Sequence, residues 1–156
     1  MTTVGTKEKA DFVRNLGADI VINRNTDKLA VAMAQNPVNV AIDCVGGDLL
    51  GECFGLMARG GRWVLIATLG GTATTIPLRA VLSKGLRLIG STLRSRTNEM
   101  KAKILYELEK EIWPAITAGK IHPVIHARFP LSEAAKAQDV LYRKENIGKV
   151  ILEKDF

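Results

Sequence analysis

The residues best suited to chemistry stand near the start of the chain, in the run Gly5-Thr6-Lys7-Glu8-Lys9. A short apolar segment precedes this run and a helical pattern follows it. The run is therefore expected at a helix N-terminus, where backbone N–H groups favour anions. Thr6 offers a hydroxyl there, and Lys9 offers an ammonium group one helical turn later. Arg24, which follows the next apolar segment, can close the pocket from the neighbouring strand tip.

The absence of an acid at this strand tip indicates which anion the pocket would take. In a dinucleotide-binding sheet, NAD enzymes place Asp or Glu at the end of the second strand, where the carboxylate accepts from the adenosine ribose. A 2′-phosphate would be repelled by that carboxylate. A hydroxyl with two basic side chains therefore predicts a preference for NADPH. The alternative, that these are ordinary surface charges, stays open on these residues alone.

Two glycine-rich runs form the second set of candidates. They are Asp43-Cys44-Val45-Gly46-Gly47 and Ala67-Thr68-Leu69-Gly70-Gly71, and each follows an apolar segment that reads as a strand. Ligands of open α/β sheets lie at the carboxyl ends of strands, and glycine allows the backbone to approach a ribose or nicotinamide closely. Tight turns without a ligand would give the same residues.

The elements that must position these residues follow from the alternation of short apolar runs with helical stretches. That alternation is typical of a parallel α/β sheet with helices on both faces. The expected strands cover residues 1–4, 20–22, 38–43, 62–68, 86–90, 123–129 and 147–152. The expected helices cover residues 7–16, 26–34, 49–57, 77–84, 98–118 and 132–144.

Individual residues mark where these helices begin, bend and end. Thr26 and Ser132 are expected to cap two of them with their hydroxyl oxygens. Gly17 is expected to end the first helix, and Pro114 to kink or break the long one. The long helix carries apolar residues at helical spacing, which predict one buried face. They are Ile104, Leu105, Leu108, Ile112, Ala115 and Ile116.

The composition of the 156 residues argues against several classes of protein. No apolar run approaches the roughly 20 residues of a membrane helix, and the start does not resemble a signal peptide. The net charge of +6 is spread along the chain and aromatic residues make up 5%. A stacking platform for nucleic acid is therefore not favoured. Two cysteines give no disulfide framework, which favours a reducing, cytoplasmic location.

Neither a metal site nor a catalytic residue can be assigned. His122 and His126 stand four apart, as in a zinc pair on a helix. Pro123 and two β-branched residues between them predict extended chain, on which such a pair does not converge. Cys44 is expected in a buried strand and Cys53 in the core side of a helix.

Taken in order, several motifs resemble zeta-crystallin-like quinone oxidoreductases of the medium-chain dehydrogenase/reductase superfamily. The likeness covers essentially the whole chain. It is carried by Gly5-Thr6-Lys7-Glu8-Lys9-Ala10, Leu16-Gly17-Ala18-Asp19, Asp43-Cys44-Val45-Gly46-Gly47, Gly61-Arg62-Trp63-Val64-Leu65, Ser91-Thr92-Leu93-Arg94-Ser95-Arg96 and Asn146-Ile147-Gly148-Lys149-Val150-Ile151-Leu152.

The resemblance implies roles for particular residues in binding NADPH. It places Gly5, Thr6 and Lys9 at the adenosine end, with the last two on the 2′-phosphate. Four residues would line the nicotinamide half: Val45, Leu69, Gly70 and Gly71. Three more would approach the cofactor less directly: Leu93, Lys144 and Asn146. The family often has Tyr where Arg24 stands, so a guanidinium would replace a ring at the adenine or phosphate.

The resemblance also implies a Rossmann-like sheet that begins at its second strand. Residues 1–119 would form most of the cofactor domain, and residues 120–156 would pack on a substrate domain that precedes it in the family. Because the first strand lies centrally in that sheet, residues 1–4 and 38–43 would have unpaired edges. We expect them either to pair directly or to borrow a strand from another copy.

The function implied by the resemblance is zinc-independent hydride transfer from NADPH to quinones or related enones. The chain alone is expected to bind NADPH weakly and to catalyse little. A homodimer is expected through the strand at residues 86–92. The alternatives are a non-enzymatic nucleotide-binding, RNA-binding or structural module, which only the positive charge supports, and a methyltransferase-like domain, which the missing acid disfavours.

Overall fold

The computed structural model describes residues 1–155, which form two compact units, Met1–Arg96 and a second from Thr97 onward. The division between the units lies ahead of the long helix, whereas the sequence suggested a boundary near Gly119. The assignment of residues 120–156 to a separate family domain stays a prediction.

The first unit alternates strands and helices throughout, as the sequence pattern predicted. Its elements are β1 (Thr2–Val4), α1 (Lys7–Asn15), β2 (Val21–Asn23), α2 (Leu29–Gln35), β3 (Val40–Asp43), α3 (Gly47–Phe54), β4 (Arg62–Leu65), α4 (Leu78–Lys84) and β5 (Arg87–Gly90). All strand pairs are parallel. Parallel sheets with accompanying helices give a Rossmann-like arrangement, which confirms the expected fold class.

The strands of the first unit form two sheets, one of β1 and β2 and one in the order β3-β4-β5. The expected direct pairing of β1 with β3 is therefore wrong. An open groove lies between these strands, and its lining includes Leu29 and Met33 of α2 and Leu49 of α3. Whether the groove takes a strand from another copy stays a prediction.

The core of the first unit is built around one face of α3 and the turn that follows it. Leu50, Cys53, Phe54 and Met57 are each at most 2% exposed, and their spacing is that of a buried helix face. Trp63 of β4 meets Phe54 edge-on, with ring centroids 6.2 Å apart. The expected place of Cys53 in a helix core is thus confirmed.

Two local expectations from the sequence of the first unit were wrong. Cys44 is exposed because it lies just beyond the end of β3 rather than inside a buried strand. Thr26 does not cap α2, since its hydroxyl bonds within the turn formed with Asn23 and Asp27, and α2 begins at Leu29 without a side-chain cap.

The second unit consists of α5 (Asn98–Glu111), α6 (Trp113–Thr117), β6 (Ile125–Pro130), a 3-10 turn (Leu131–Glu133), α7 (Ala134–Tyr142) and β7 (Lys149–Glu153). Strands β6 and β7 pair in parallel. Ser132 lies inside the 3-10 turn, so it does not cap α7 as expected. In residues 1–155, no helix is both long enough and apolar enough to cross a membrane.

The long helix of the second unit breaks where Pro114 predicted, because α5 ends at Glu111 and α6 begins at Trp113. Its predicted buried face is not buried. Ile104, Leu105, Leu108 and Ile112 are between 38% and 64% exposed. Apolar spacing predicted the helix here, but it does not tell what covers the helix.

Candidate functional site

The candidate residues of the first unit lie at the carboxyl ends of its strands, in two groups. We call residues 44–47 and 68–71, which follow β3 and β4, the glycine turns. We call residues 5–9 together with Arg24, which follow β1 and β2, the basic tip. The two groups are built in different ways.

Direct backbone contacts join the glycine turns to each other. The Gly70 N–H donates to the Val45 carbonyl over 2.7 Å, and the Leu69 N–H donates to the Cys44 carbonyl over 3.2 Å. Gly46 and Gly71 also form an isolated parallel bridge. The structure therefore brings Val45, Leu69 and the two glycines of the second turn together, and their place beside a nicotinamide stays a prediction.

The glycines are required at this contact for steric reasons. Gly46 has φ 64° and ψ −146°, a backbone region that other residues essentially avoid. Gly47 has φ 57°, and a Cβ atom placed on it would lie 2.7 Å from the Gly70 carbonyl oxygen. Side chains at these positions would push the two turns apart.

Beneath the glycine turns lies Asp43, a residue whose role sequence reasoning missed. Its carboxylate is buried, 7% exposed, at the last position of β3. It accepts from the Val45 N–H over 2.7 Å and from the Trp63 indole N–H over 2.9 Å. An Asp at the end of a strand, three residues before a Gly-Gly pair, is a signal for a side chain that accepts from the backbone N–H groups of the following turn. No signal in the sequence identifies Trp63 as its partner.

The basic tip begins with a helix cap. The Thr6 side-chain oxygen accepts from the Lys9 backbone N–H over 3.2 Å, which makes Thr6 the N-cap of α1. An N-cap leaves the other N–H groups of the first turn pointing outward, where an anion is favoured. Lys7 points elsewhere, since its ammonium group donates to Asp11 over 2.6 Å. That hydrogen bond from Lys7 is the main reason that the pKa of Asp11 is lowered.

The guanidinium of Arg24 lies directly against Gly5. A Cβ atom on Gly5 would stand 2.8 Å from Arg24 Nη2, so the glycine makes room for the guanidinium. Gly5 is fixed from the other side, because its carbonyl accepts from the Asn25 side-chain amide over 2.6 Å. Gly5 and Arg24, two of the predicted site residues, are thus in contact at the tip of β1.

The remaining predicted residues lie elsewhere. Leu93 is 60% exposed in the turn that follows β5. Lys144 and Asn146 belong to the second unit. Lys144 has φ 59°, which is unusual for a residue with a side chain, and the Asn146 amide donates to the Gly148 carbonyl over 2.8 Å. The proposed approach of these three residues to a cofactor stays a prediction.

The chain as described offers no set of donors for a metal ion. Within residues 1–155, no three His, Cys, Asp or Glu side chains are grouped as ligands. His126 lies on β6, and its Nδ1 accepts from the Ile147 N–H over 3.3 Å.

Burial, together with the nearby charges of Glu52 and Asp43, raises the pKa of the Cys53 thiol to about 11.

Comparison with known proteins connects this arrangement to one family. Residues 16–152 match the zinc-binding dehydrogenase family. A 2-haloacrylate reductase from a Burkholderia species is 29% identical over 96% of the chain and 46% of its own length. The quinone oxidoreductase of Rattus norvegicus is 28% identical over 96% of the chain and 45% of its own length.

A solved structure shares the fold as well. The thermostable alcohol dehydrogenase from Pyrobaculum aerophilum, crystallised with cobalt and zinc, superposes with a TM-score of 0.71 at 26% identity. The match covers 96% of this chain and 41% of that one. The chain thus spans less than half the length of each of these relatives.

Proposed function

The chain belongs to the zinc-binding dehydrogenase family, and we propose that it is the cofactor-binding part of an NADPH-dependent quinone oxidoreductase. The observation that carries the proposal is the basic tip. There the Arg24 guanidinium rests on Gly5 beside the capped N-terminus of α1. A guanidinium and helix N–H groups are suited to a phosphate monoester.

The residues present fit the two ends of NADPH. At the adenosine end, Thr6, Lys9 and Arg24 would hold the 2′-phosphate. Because Gly5 has no side chain, the Arg24 guanidinium has room to lie against it. At the other end, the glycine turns expose bare backbone, because four of their positions are glycines: Gly46, Gly47, Gly70 and Gly71. Such a surface suits a flat ring that must approach closely.

The bound cofactor would supply a hydride for transfer to the substrate. The contribution of this chain is binding and orientation. The basic tip would hold the phosphate end by charge, and the exposed Leu69 with Val45 would cover the nicotinamide end with apolar surface. We propose a zinc-independent transfer, as the resemblance to zeta-crystallin-like quinone oxidoreductases implies.

The substrate class is proposed from the relatives. One similar protein is named a quinone oxidoreductase and another a 2-haloacrylate reductase. Quinones and haloacrylates share a carbon–carbon double bond conjugated to a carbonyl group. This conjugated system accepts a hydride. We therefore propose quinones or related enones as substrates. The chain alone would bind NADPH weakly and turn over little, because it spans less than half of these relatives.

The assembly and location are proposals of the same kind. Strand β5 is at the edge of its sheet, and Leu88 and Ile89 on it are at least 40% exposed. An exposed apolar edge strand is suited to pairing with its copy about a twofold axis, and so we propose a homodimer. A cytoplasmic location agrees with two free cysteines, Cys44 and Cys53.

The test of the proposed function compares the affinities of NADPH and NADH. The wild-type chain should bind NADPH more tightly, and Lys9→Ala should remove about 1.5–3 kcal/mol of that binding, the contribution of a charged hydrogen bond. Its affinity for NADH should stay unchanged. Isothermal titration calorimetry measures both affinities.

The matched control is Lys7→Ala, which removes the same charge two residues before Lys9. The Lys7 side chain donates to Asp11 and is not part of the proposed phosphate site. We expect Lys7→Ala to retain the preference for NADPH. Equal affinity of the wild-type chain for the two cofactors, or equal losses in the two lysine variants, would contradict the proposal.

A further inference from the structure

Asp43 is the one polar or charged residue in the core of the part of the chain that the structure describes. A buried carboxylate is unfavourable unless hydrogen bonds compensate for the lost water. Here the compensation is complete, since both oxygens accept. Oδ1 accepts from the N–H groups of Val45 and Gly46, over 2.7 and 3.2 Å, and Oδ2 accepts from Gly46 and from the Trp63 indole, over 3.2 and 2.9 Å.

These hydrogen bonds reach residues on both of the strands that carry the glycine turns. Val45 and Gly46 belong to the turn after β3, whereas Trp63 lies on β4, which leads into the second turn. The first turn then holds the second, because the Val45 carbonyl accepts from the Gly70 N–H over 2.7 Å. The Val45 peptide units are therefore fixed from below by the carboxylate and bonded to Gly70 above.

We propose that Asp43 is a positioning residue that fixes the glycine turns as one preformed surface for the nicotinamide half of the cofactor. The inference rests on the proposed function, since the nicotinamide assignment comes from it. Asp43 acts through Val45 and Gly46 rather than by touching the ligand. Its effect extends to Gly70, with which it shares no hydrogen bond.

The carboxylate cannot be replaced by the amide of the same shape. All three partners of Asp43 are N–H donors, and a carboxylate accepts at both oxygens. An asparagine has a single acceptor oxygen, and its amide nitrogen would face an N–H group. Asp43→Asn thus retains the volume of the side chain but leaves at least one donor unsatisfied.

The first experiment measures amide hydrogen exchange in the 156-residue chain. Asp43→Asn should accelerate exchange roughly tenfold or more at Val45, at Gly46 and also at Gly70, as expected for the loss of buried hydrogen bonds. Asp48→Asn makes the same change of charge at an exposed position five residues away and should leave all three amides unchanged. Unchanged exchange at Gly70 in Asp43→Asn would overturn the proposal.

The second experiment separates the two ends of the site with two probes. Reduced nicotinamide mononucleotide reports on the glycine turns, and adenosine 2′,5′-bisphosphate reports on the basic tip. Asp43→Asn should weaken the first roughly tenfold and leave the second unchanged. A residue with a merely structural role would weaken both, so equal losses would overturn the proposal.

The milder variant Trp63→Phe keeps the test decisive if Asp43→Asn does not fold. It retains a ring against Phe54 and removes the indole N–H donor together with the second ring. The nicotinamide probe should weaken about threefold, with the phosphate probe unaffected. No change for either probe would count against Asp43. If the wild-type chain binds the phosphate probe but not the nicotinamide probe, the subsite assignment is wrong and so is the positioning role. If it binds neither, the proposed function fails, while exchange at Gly70 still decides whether Asp43 couples the turns.

Discussion

The glycine turns and the basic tip lie at the ends of strands in the same unit, but they are held by different forces. The glycine turns are fixed by backbone hydrogen bonds and by a buried carboxylate with three donors. The basic tip consists of exposed or half-buried side chains, of which Thr6 and Arg24 are exposed. One surface is set by packing, and the other by charge on side chains that can move.

The difference corresponds to what each end of a dinucleotide needs. Hydride transfer depends on the position of a ring to within a fraction of an ångström, and a packed backbone gives that precision. A phosphate carries two charges and accepts hydrogen bonds from several directions, so long flexible side chains bind it well. Substitutions at the glycine turns are therefore expected to act on stability, and those at the basic tip on cofactor choice.

The strongest test of this comparison is Gly47→Ala. Its backbone has φ 57°, and the new Cβ would lie 2.7 Å from the Gly70 carbonyl oxygen. A left-handed conformation costs a residue with a side chain about 1–2 kcal/mol, and forcing the turns apart adds about 1–3 kcal/mol. We expect a loss of about 2–5 kcal/mol in the free energy of unfolding, measured with urea.

Gly60→Ala is the matched control for this substitution. Gly60 has a similar φ of 73°, and its Cβ would meet no atom within 4 Å. Only the backbone term of about 1–2 kcal/mol applies there. If the two alanine variants lose the same stability, the contact between the glycine turns is not tightly packed. The statement that packing fixes the glycine turns would then be wrong.

The next largest effect concerns pH and the core beneath the glycine turns. Burial raises the pKa of Cys53 from 9.0 to about 11. Because the folded state then holds the thiol proton more tightly than the unfolded state, stability is fully present below pH 9.0 and falls as the pH rises to about 11. The expected loss is about 2–3 kcal/mol.

Urea unfolding between pH 8 and 11 measures this loss, with each variant compared with itself across the range. Cys53→Ala should be less stable at every pH, because a buried side chain is removed, but it should lack the decline. Cys44→Ala changes an exposed thiol and should retain it. A decline that persists in Cys53→Ala would assign the pH dependence to other groups.

The order of strands and helices could be predicted from the sequence because it depends on local periodicity and on residues such as Gly17 and Pro114. The exposure of α5 could not, since apolar spacing shows which face is apolar and not what covers it. The separation of β1 from β3 escaped prediction for a related reason. It depends on pairing between strands that are far apart in the chain, which no local motif records.

The candidate site divides in the same way. Spacing placed Thr6 at a helix N-terminus, and the glycine runs marked the turns, because both are local signals. The contact of Arg24 with Gly5 joins residues 19 positions apart, and that of Asp43 with Trp63 joins residues 20 apart. Such contacts depend on strand register and on the direction of one side chain, which the sequence alone does not give.

The smallest expected effect comes from the basic tip, where Thr6 has both a structural and a binding role. Thr6 caps α1, and Thr97 caps α5 in the same way by accepting from the Met100 N–H over 3.3 Å. Each change to Ala should lower the free energy of unfolding by about 1 kcal/mol, the usual contribution of an N-cap.

The Thr6 hydroxyl would also donate to the 2′-phosphate, whereas Thr97 has no such part in the proposed site. Thr6→Ala should therefore weaken NADPH by about 0.5–1.5 kcal/mol without affecting NADH, and Thr97→Ala should weaken neither. If both variants lose NADPH affinity equally, the loss reflects protein stability, and Thr6 does not bind the 2′-phosphate.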